Sequence, residues 1–176
     1  MLCALKATAD WESAARELIA PLLGASTRIA LLMNGVGLEA ALGSLLQRCS
    51  IFGGLVFFPC QRDASAAGLV SRRLSGGRAL QVGHATGCES ELAAARELWA
   101  GAERYLDVQM EASLLRARWL KACWNVPFNG CCVAAGGATL DAVSGTPALR
   151  QRASELVGEL VRVANAELGA AGSGPA

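Results

Sequence analysis

Lys121, Asn125 and Asn129 stand four residues apart in the stretch Arg118–Gly130, which reads Arg-Trp-Leu-Lys-Ala-Cys-Trp-Asn-Val-Pro-Phe-Asn-Gly. On a helix turning about 100° per residue, this spacing stacks an ammonium and two amides along one stripe, within about 80° of each other. The intervening Trp119, Leu120, Cys123, Trp124, Val126 and Phe128 are apolar, which predicts a helix largely buried in the fold. Two readings fit the stripe. In one, Lys121 snorkels its charge to solvent while the amides bond neighbouring backbone groups. In the other, the stripe lines a pocket. A lysine beside a reacting carbonyl donates a proton or stabilises an oxyanion, and spaced amides hold the hydroxyl or carboxylate oxygens of a small polar substrate. Pro127 removes one backbone N–H and predicts a kink between the two asparagines.

The elements that position this stripe read as strand and helix first, helix alone later. Leu2–Ala7 predicts a strand, Asp10 a cap, Trp11–Leu23 a helix and Arg28–Met33 a second strand, together a parallel strand–helix–strand unit. Asn34-Gly35-Val36-Gly37 follows, then a helix over Leu38–Gln47. Lys6 and Asn34 thus follow the carboxyl ends of their strands, the edge at which open parallel sheets bind ligands. By pattern alone such a Gly-x-Gly is more often a tight turn. Strands are expected over Ile51–Pro59, Gly68–Arg72 and Ala79–Gly83, with Gln61-Arg62-Asp63 as a turn. Arg62, Arg72, Arg73 and Arg78 read as solvated turn cations rather than phosphate ligands, and His84 reads as structural.

A helix over Glu89–Ala102 and a short strand over Tyr105–Val108 close the first part, so the domain organisation reads as 1–109, 110–169 and a disordered tail 170–176. The helix carrying Lys121 is expected over Glu111–Ala135, roughly 35 Å long. Gly130, Gly136 and Gly137 in its later turns serve close packing or mark fraying. A last helix spans Ala148–Leu168, capped by Gly169.

Composition narrows the partners. Lys plus Arg number 16 against 15 Asp plus Glu, so no basic surface points to nucleic acid or an anionic membrane. No apolar run reaches the roughly 18 residues of a membrane span, and the amino terminus lacks a secretory pattern, so a cytoplasmic protein is expected. The 7 cysteines lack paired Cys-x-x-Cys spacing and have one histidine for company, which reads as buried thiols rather than a metal site.

Trp119, Lys121, Asn125 and Asn129, with the wording Asn-Val-Pro-Phe-Asn-Gly, resemble the opening of the second domain of the ketopantoate reductases (2-dehydropantoate 2-reductases). The strand end Leu5-Lys6-Ala7 and the turn Asn34-Gly35-Val36-Gly37 are similar to that family's cofactor-side motifs. The resemblance implies an α/β fold: an incomplete Rossmann-like sheet, then an all-α domain beginning with a long helix, of the 6-phosphogluconate dehydrogenase C-terminal-like kind. It implies an NADP-dependent oxidoreductase that reduces ketopantoate to pantoate in pantothenate biosynthesis, with NADPH as cofactor and a small 2-keto acid as substrate. Lys121 would be catalytic, Asn125, Asn129 and Asn34 would bind substrate, and Lys6 and Asn34 would contact the cofactor. The family's opening Gly-x-Gly-x-x-Gly loop and its later serine and glutamate have no counterpart in this sequence, which reads as a fragment of the family pattern. The competing reading is a catalytically inactive truncated remnant, in which exposed Trp119, Trp124 and Phe128 drive homodimerisation or bind a partner chain.

Overall fold

The apolar runs at Leu2 and Ile29 form neighbouring parallel strands, β1 (Leu2–Cys3) and β2 (Arg28–Leu31), with Leu2 opposite Ala30 and Cys3 opposite Leu31. The computed structural model describes residues 1–8, 10–45, 49–57, 60–63, 70–73, 79–102 and 104–172. Between the two strands, the expected single helix is irregular: α1 (Trp11–Ala14) passes into a π-helical stretch at Ala15–Ile19 and a 3-10 turn at Ala20–Leu22. Pro21 lacks an N–H to continue the regular ladder, which suits the tighter turn. After β2 come the Asn34–Leu38 turn, α2 (Leu38–Leu45) and β3 (Ser50–Phe57), which pairs parallel to β2 with Leu31 opposite Gly53.

Gln61-Arg62-Asp63 is strand rather than turn. It belongs to β4 (Cys60–Asp63), paired antiparallel with β5 (Val70–Arg73) in a separate two-stranded sheet, so ladder pairing outweighs local turn propensity. Arg62 is therefore on β4 and Arg72 and Arg73 on β5, while Arg78 lies outside the described residues. The main sheet continues with β6 (Ala79–His84), antiparallel to β3, and β7 (Asp107–Glu111), parallel to β6, giving the order β1-β2-β3-β6-β7. Between those strands runs α3 (Glu89–Trp99), whose Leu92, Ala95 and Trp99 pack on Ala30, Phe52, Leu80 and Val82. Glu91 fastens this helix to the sheet. Its carboxylate accepts from Arg28 Nε at 2.7 Å, Arg28 Nη2 at 3.2 Å and Ser50 Oγ at 2.7 Å.

Gly53 and Gly83 face each other across β3 and β6. A Cβ at Gly53 would collide with the side chains of Glu39 and Leu114. One at Gly83 would lie 2.8 Å from Leu114 Cβ and 3.2 Å from its Cα. The two glycines leave the space in which the long helix α4 (Leu114–Ala134) begins. It is followed by α5 (Leu140–Gly145) and α6 (Pro147–Ala170). The α5 helix is additional to the sequence reading; its start is marked by Thr139, whose Oγ1 accepts from the Ala142 N–H at 3.2 Å. The last helix runs past Gly169 to Ala170, and residues 173–176 of the expected tail lie outside the described residues.

The fold is a five-stranded, Rossmann-like mixed sheet followed by helices that open with a long one, the class expected from the sequence. Two compact units divide it. One comprises Met1–Met33 and Glu39–Leu114, the other Asn34–Leu38 and Leu115–Ala176. The turn after β2 thus groups with the helices.

Candidate active site

Trp119 anchors the helix that carries the polar stripe. Its ring is 9% exposed and packs with Ala164 and Leu168, both fully buried, while Leu115, Ala122, Leu160 and Val36 surround the cluster. Its Nε1–H donates to Glu167 Oε2 at 2.8 Å, tying α4 to α6. Farther along, Cys131 joins Val143 of α5 and Ala153 of α6, flanked by Phe128, Leu149 and Leu156. The early part of α4 lies against the late part of α6 and the reverse, so the two helices run antiparallel.

Burial along α4 departs from expectation. The helix is not largely buried: Leu120, Trp124, Val126 and Val133 are exposed, whereas Trp119, expected on the surface in the remnant reading, is inside. Apolar residues all round a helix need only be buried where another element covers them, and α5 and α6 cover part of its circumference. Trp124 stacks on the partly buried Phe128 with ring centroids 4.3 Å apart. Nor does Pro127 interrupt the helix, which continues through Asn129 to Ala134 with Pro127 fully buried. The later glycines take neither expected role. A Cβ at Gly130 would meet nothing within 4 Å, and Gly136 and Gly137, at φ 74° and 89°, turn the chain out of the helix through bonds from Gly137 N to Cys132 O (2.9 Å) and Ala138 N to Cys132 O (3.0 Å).

Lys121 is partly buried, and its ammonium is pushed down from the usual 10.5 to about 8, first by desolvation and then by the charge of Arg118. Arg118 is only 3% exposed and stands one helical turn before Lys121, so two cations share the same region of α4. The sequence reading passed over Arg118. The available signal was a second cation three residues from Lys121 within an apolar stretch. Asn125 is partly buried and Asn129 exposed, so the stripe emerges toward solvent along its length. A lysine held near neutrality is able to give up a proton at ordinary pH, and flanking amides supply neutral hydrogen bonds beside it.

Asn34 is exposed at the head of a turn that glycine makes feasible: Gly35 has φ 135° and Gly37 φ 83°, conformations L side chains rarely adopt. Val36 between them packs on the Trp119 cluster. Asn34, Lys121, Asn125 and Asn129 therefore belong to one compact unit and Lys6 to the other. Lys6 is exposed in the segment after β1, where its carbonyl accepts from the Thr8 N–H at 2.9 Å.

His84 closes a turn. Its Nδ1 accepts from the Thr86 and Cys88 N–H groups, both at 3.2 Å, and its ring meets Phe52 edge-on at 5.1 Å. Burial lowers its pKa, against a smaller upward pull from Glu91. Among the described residues, no group of three or more His, Cys, Asp and Glu side chains could hold a metal ion. No helix there is long and apolar enough to cross a membrane.

The architecture is a Rossmann-like sheet and a set of helices led by the lysine-bearing α4. The family profile described as ketopantoate reductase PanE/ApbA matches residues 1–87, and the ketopantoate reductase PanE/ApbA C-terminal profile matches residues 113–171. The chain belongs to the ketopantoate reductase family. Among solved structures it is similar to 2-dehydropantoate 2-reductase from Geobacter metallireducens GS-15, at 28% identity and a TM-score of 0.77 over 94% of this chain and 52% of that one. A dimeric ketopantoate reductase from Staphylococcus aureus matches at 22% identity and a TM-score of 0.72, covering 94% of this chain and 56% of that one. D-mandelate dehydrogenase, solved with NADH and anilino(oxo)acetate, matches at 20% and 0.74, covering 94% and 51%. The chain spans about half the length of these structures. No curated protein is matched.

Proposed function

We propose that this chain serves the nicotinamide-dependent reduction of a 2-keto acid, ketopantoate to pantoate, in cytoplasmic pantothenate biosynthesis, with Lys121 as the proton donor. The observation that carries the reading is the partly buried ammonium of Lys121, held near pH 8 on a helix inside the matched C-terminal segment. A lysine that served only to snorkel would keep its ordinary pKa.

What supports a nicotinamide cofactor is that Lys6 and Asn34 are exposed and each follows the carboxyl end of its own parallel strand, the edge at which such groups bind. When bound, the reduced nicotinamide supplies the hydride for the 2-keto carbon. Lys121 gives its proton to the oxygen of that carbonyl, so that hydride and proton together yield the 2-hydroxy acid. Asn125 and Asn129 donate to hydroxyl and carboxylate oxygens of the substrate. Asn34 bounds the substrate on the cofactor side, and Lys6 contacts the cofactor. NADPH is the family's expected donor, while the mandelate dehydrogenase neighbour was solved with NADH, so both are probes. Calorimetric titration with each cofactor, then product analysis with ketopantoate, tests the reading. Saturable NADPH binding and formation of pantoate support it; a folded chain that binds neither cofactor refutes it.

A second reading, a catalytically silent interaction or oligomerisation module, draws on the exposure of Leu120, Trp124, Val126 and Val133 along α4. It predicts a homodimer in sedimentation that Trp124→Glu dissociates, together with no turnover.

A further inference from the structure

Val36 sits between two glycines in left-handed conformations and packs against Trp119, Ala164 and Leu168. Asn34 and the glycines beside Val36 are exposed, so among the described side chains of this turn it is Val36 that joins the Trp119 cluster. The surface it meets is held by packing and by a hydrogen bond. Trp119, on α4, is buried against α6 and donates its indole N–H to Glu167 at 2.8 Å, and Lys121 lies two residues farther along α4. An indole fixed both by packing and by a charge-assisted hydrogen bond gives the turn a reference point from which Lys121 is also set.

We infer that Val36, packed on the Trp119–Ala164–Leu168 cluster, is a positioning residue that sets Asn34 in register with Lys121, so that substrate-side groups from two distant parts of the sequence are preassembled within the helical unit. The inference rests on reading Asn34 and Lys121 as site residues for a 2-keto acid, and it accounts for the grouping of Asn34–Leu38 with Leu115–Ala176.

The test uses the full chain with Val36→Ala, the rescue variant Val36→Ile, and Val163→Ala on the exposed side of α6 as control. Trp119→Phe, which retains a ring but drops the bond to Glu167, perturbs the same contact from the other side. Two readouts are taken: the side-chain amide resonance of Asn34 in 15N-labelled protein, and kcat/KM for ketopantoate with NADPH across the Asn34→Ala and Val36→Ala cycle. The Asn34 resonance should move in Val36→Ala and Trp119→Phe, return toward wild type in Val36→Ile, and stay put in the control. Catalytic efficiency should fall roughly tenfold in Val36→Ala, within the range known for small misplacements. Little further loss should follow when Asn34→Ala is added, because both changes remove one interaction. An unmoved Asn34 resonance overturns the inference whether or not the protein turns over. A moved resonance with additive kinetic losses also overturns it, since Val36 would then serve packing alone. A moved, Ile-rescued resonance in a chain without reductase activity removes the reductase reading and leaves the positioning of Asn34 supported.

Discussion

Replacing Lys121 by methionine should make the protein more stable at neutral pH, at the expense of its chemistry. The folded chain holds the ammonium at about 8 against an ordinary 10.5, so between those values the unfolded chain binds a proton that the folded chain has released. Folding therefore carries a penalty that is fully present below pH 8 and is relieved as the pH rises toward 10.5. The full difference corresponds to about 3 kcal/mol. The side chain is only partly buried, and solvent screening reduces this to about 1–2 kcal/mol. Methionine keeps the apolar stem while removing the charge and its repulsion with Arg118. Urea unfolding of wild type and Lys121→Met at a series of pH values measures the effect. The variant should be more stable at pH 7, and the difference should shrink steadily above pH 8. Equal stability at pH 7, or a difference that ignores pH, would refute the claim that desolvation and Arg118 depress this lysine.

The same titration governs catalysis: a proton donor must be protonated, so kcat/KM for the 2-keto acid should fall as pH rises through about 8, and Arg118→Gln should move that limb upward by removing the neighbouring charge. Glu91 behaves oppositely to Lys121. Hydrogen bonds from Arg28 and then Ser50 hold its carboxyl below the usual range, so it stabilises the fold above that range and ceases to do so as pH falls. Glu91→Gln should lower the thermal midpoint at neutral pH, with the two proteins converging in acid. Gly83→Ala should cost about 1–3 kcal/mol in urea unfolding, because its Cβ would sit 2.8 Å from Leu114 Cβ and close to backbone that cannot rotate away.

Much of the sheet was legible because its strands are short apolar runs bounded by turn formers, and Arg28–Leu31 and Ala79–His84 fall close to where hydropathy puts them. The β4 strand escaped notice because Gln61-Arg62-Asp63 has turn propensity and acquires its extended form from pairing with β5. The polar stripe on α4 was legible as spacing, yet its environment was not. Which apolar residues of α4 are covered depends on α5 and α6, and α5 itself is announced by little more than Thr139. Hence each sequence reading treats Trp119 and Trp124 alike, both buried or both exposed, whereas packing buries Trp119 and leaves Trp124 outside. The packing of Val36 on the Trp119 cluster joins residues far apart in the chain and has no local signature.

The most direct test follows the reduced-nicotinamide absorbance of the purified chain with NADPH as ketopantoate is added, for wild type and Lys121→Ala side by side. Saturable oxidation in wild type, lost in a Lys121→Ala protein with an unchanged circular dichroism spectrum, is the predicted result. Oxidation that survives the substitution would remove Lys121 from the centre of the chemistry, and no oxidation by a folded wild-type chain would contradict the reductase reading.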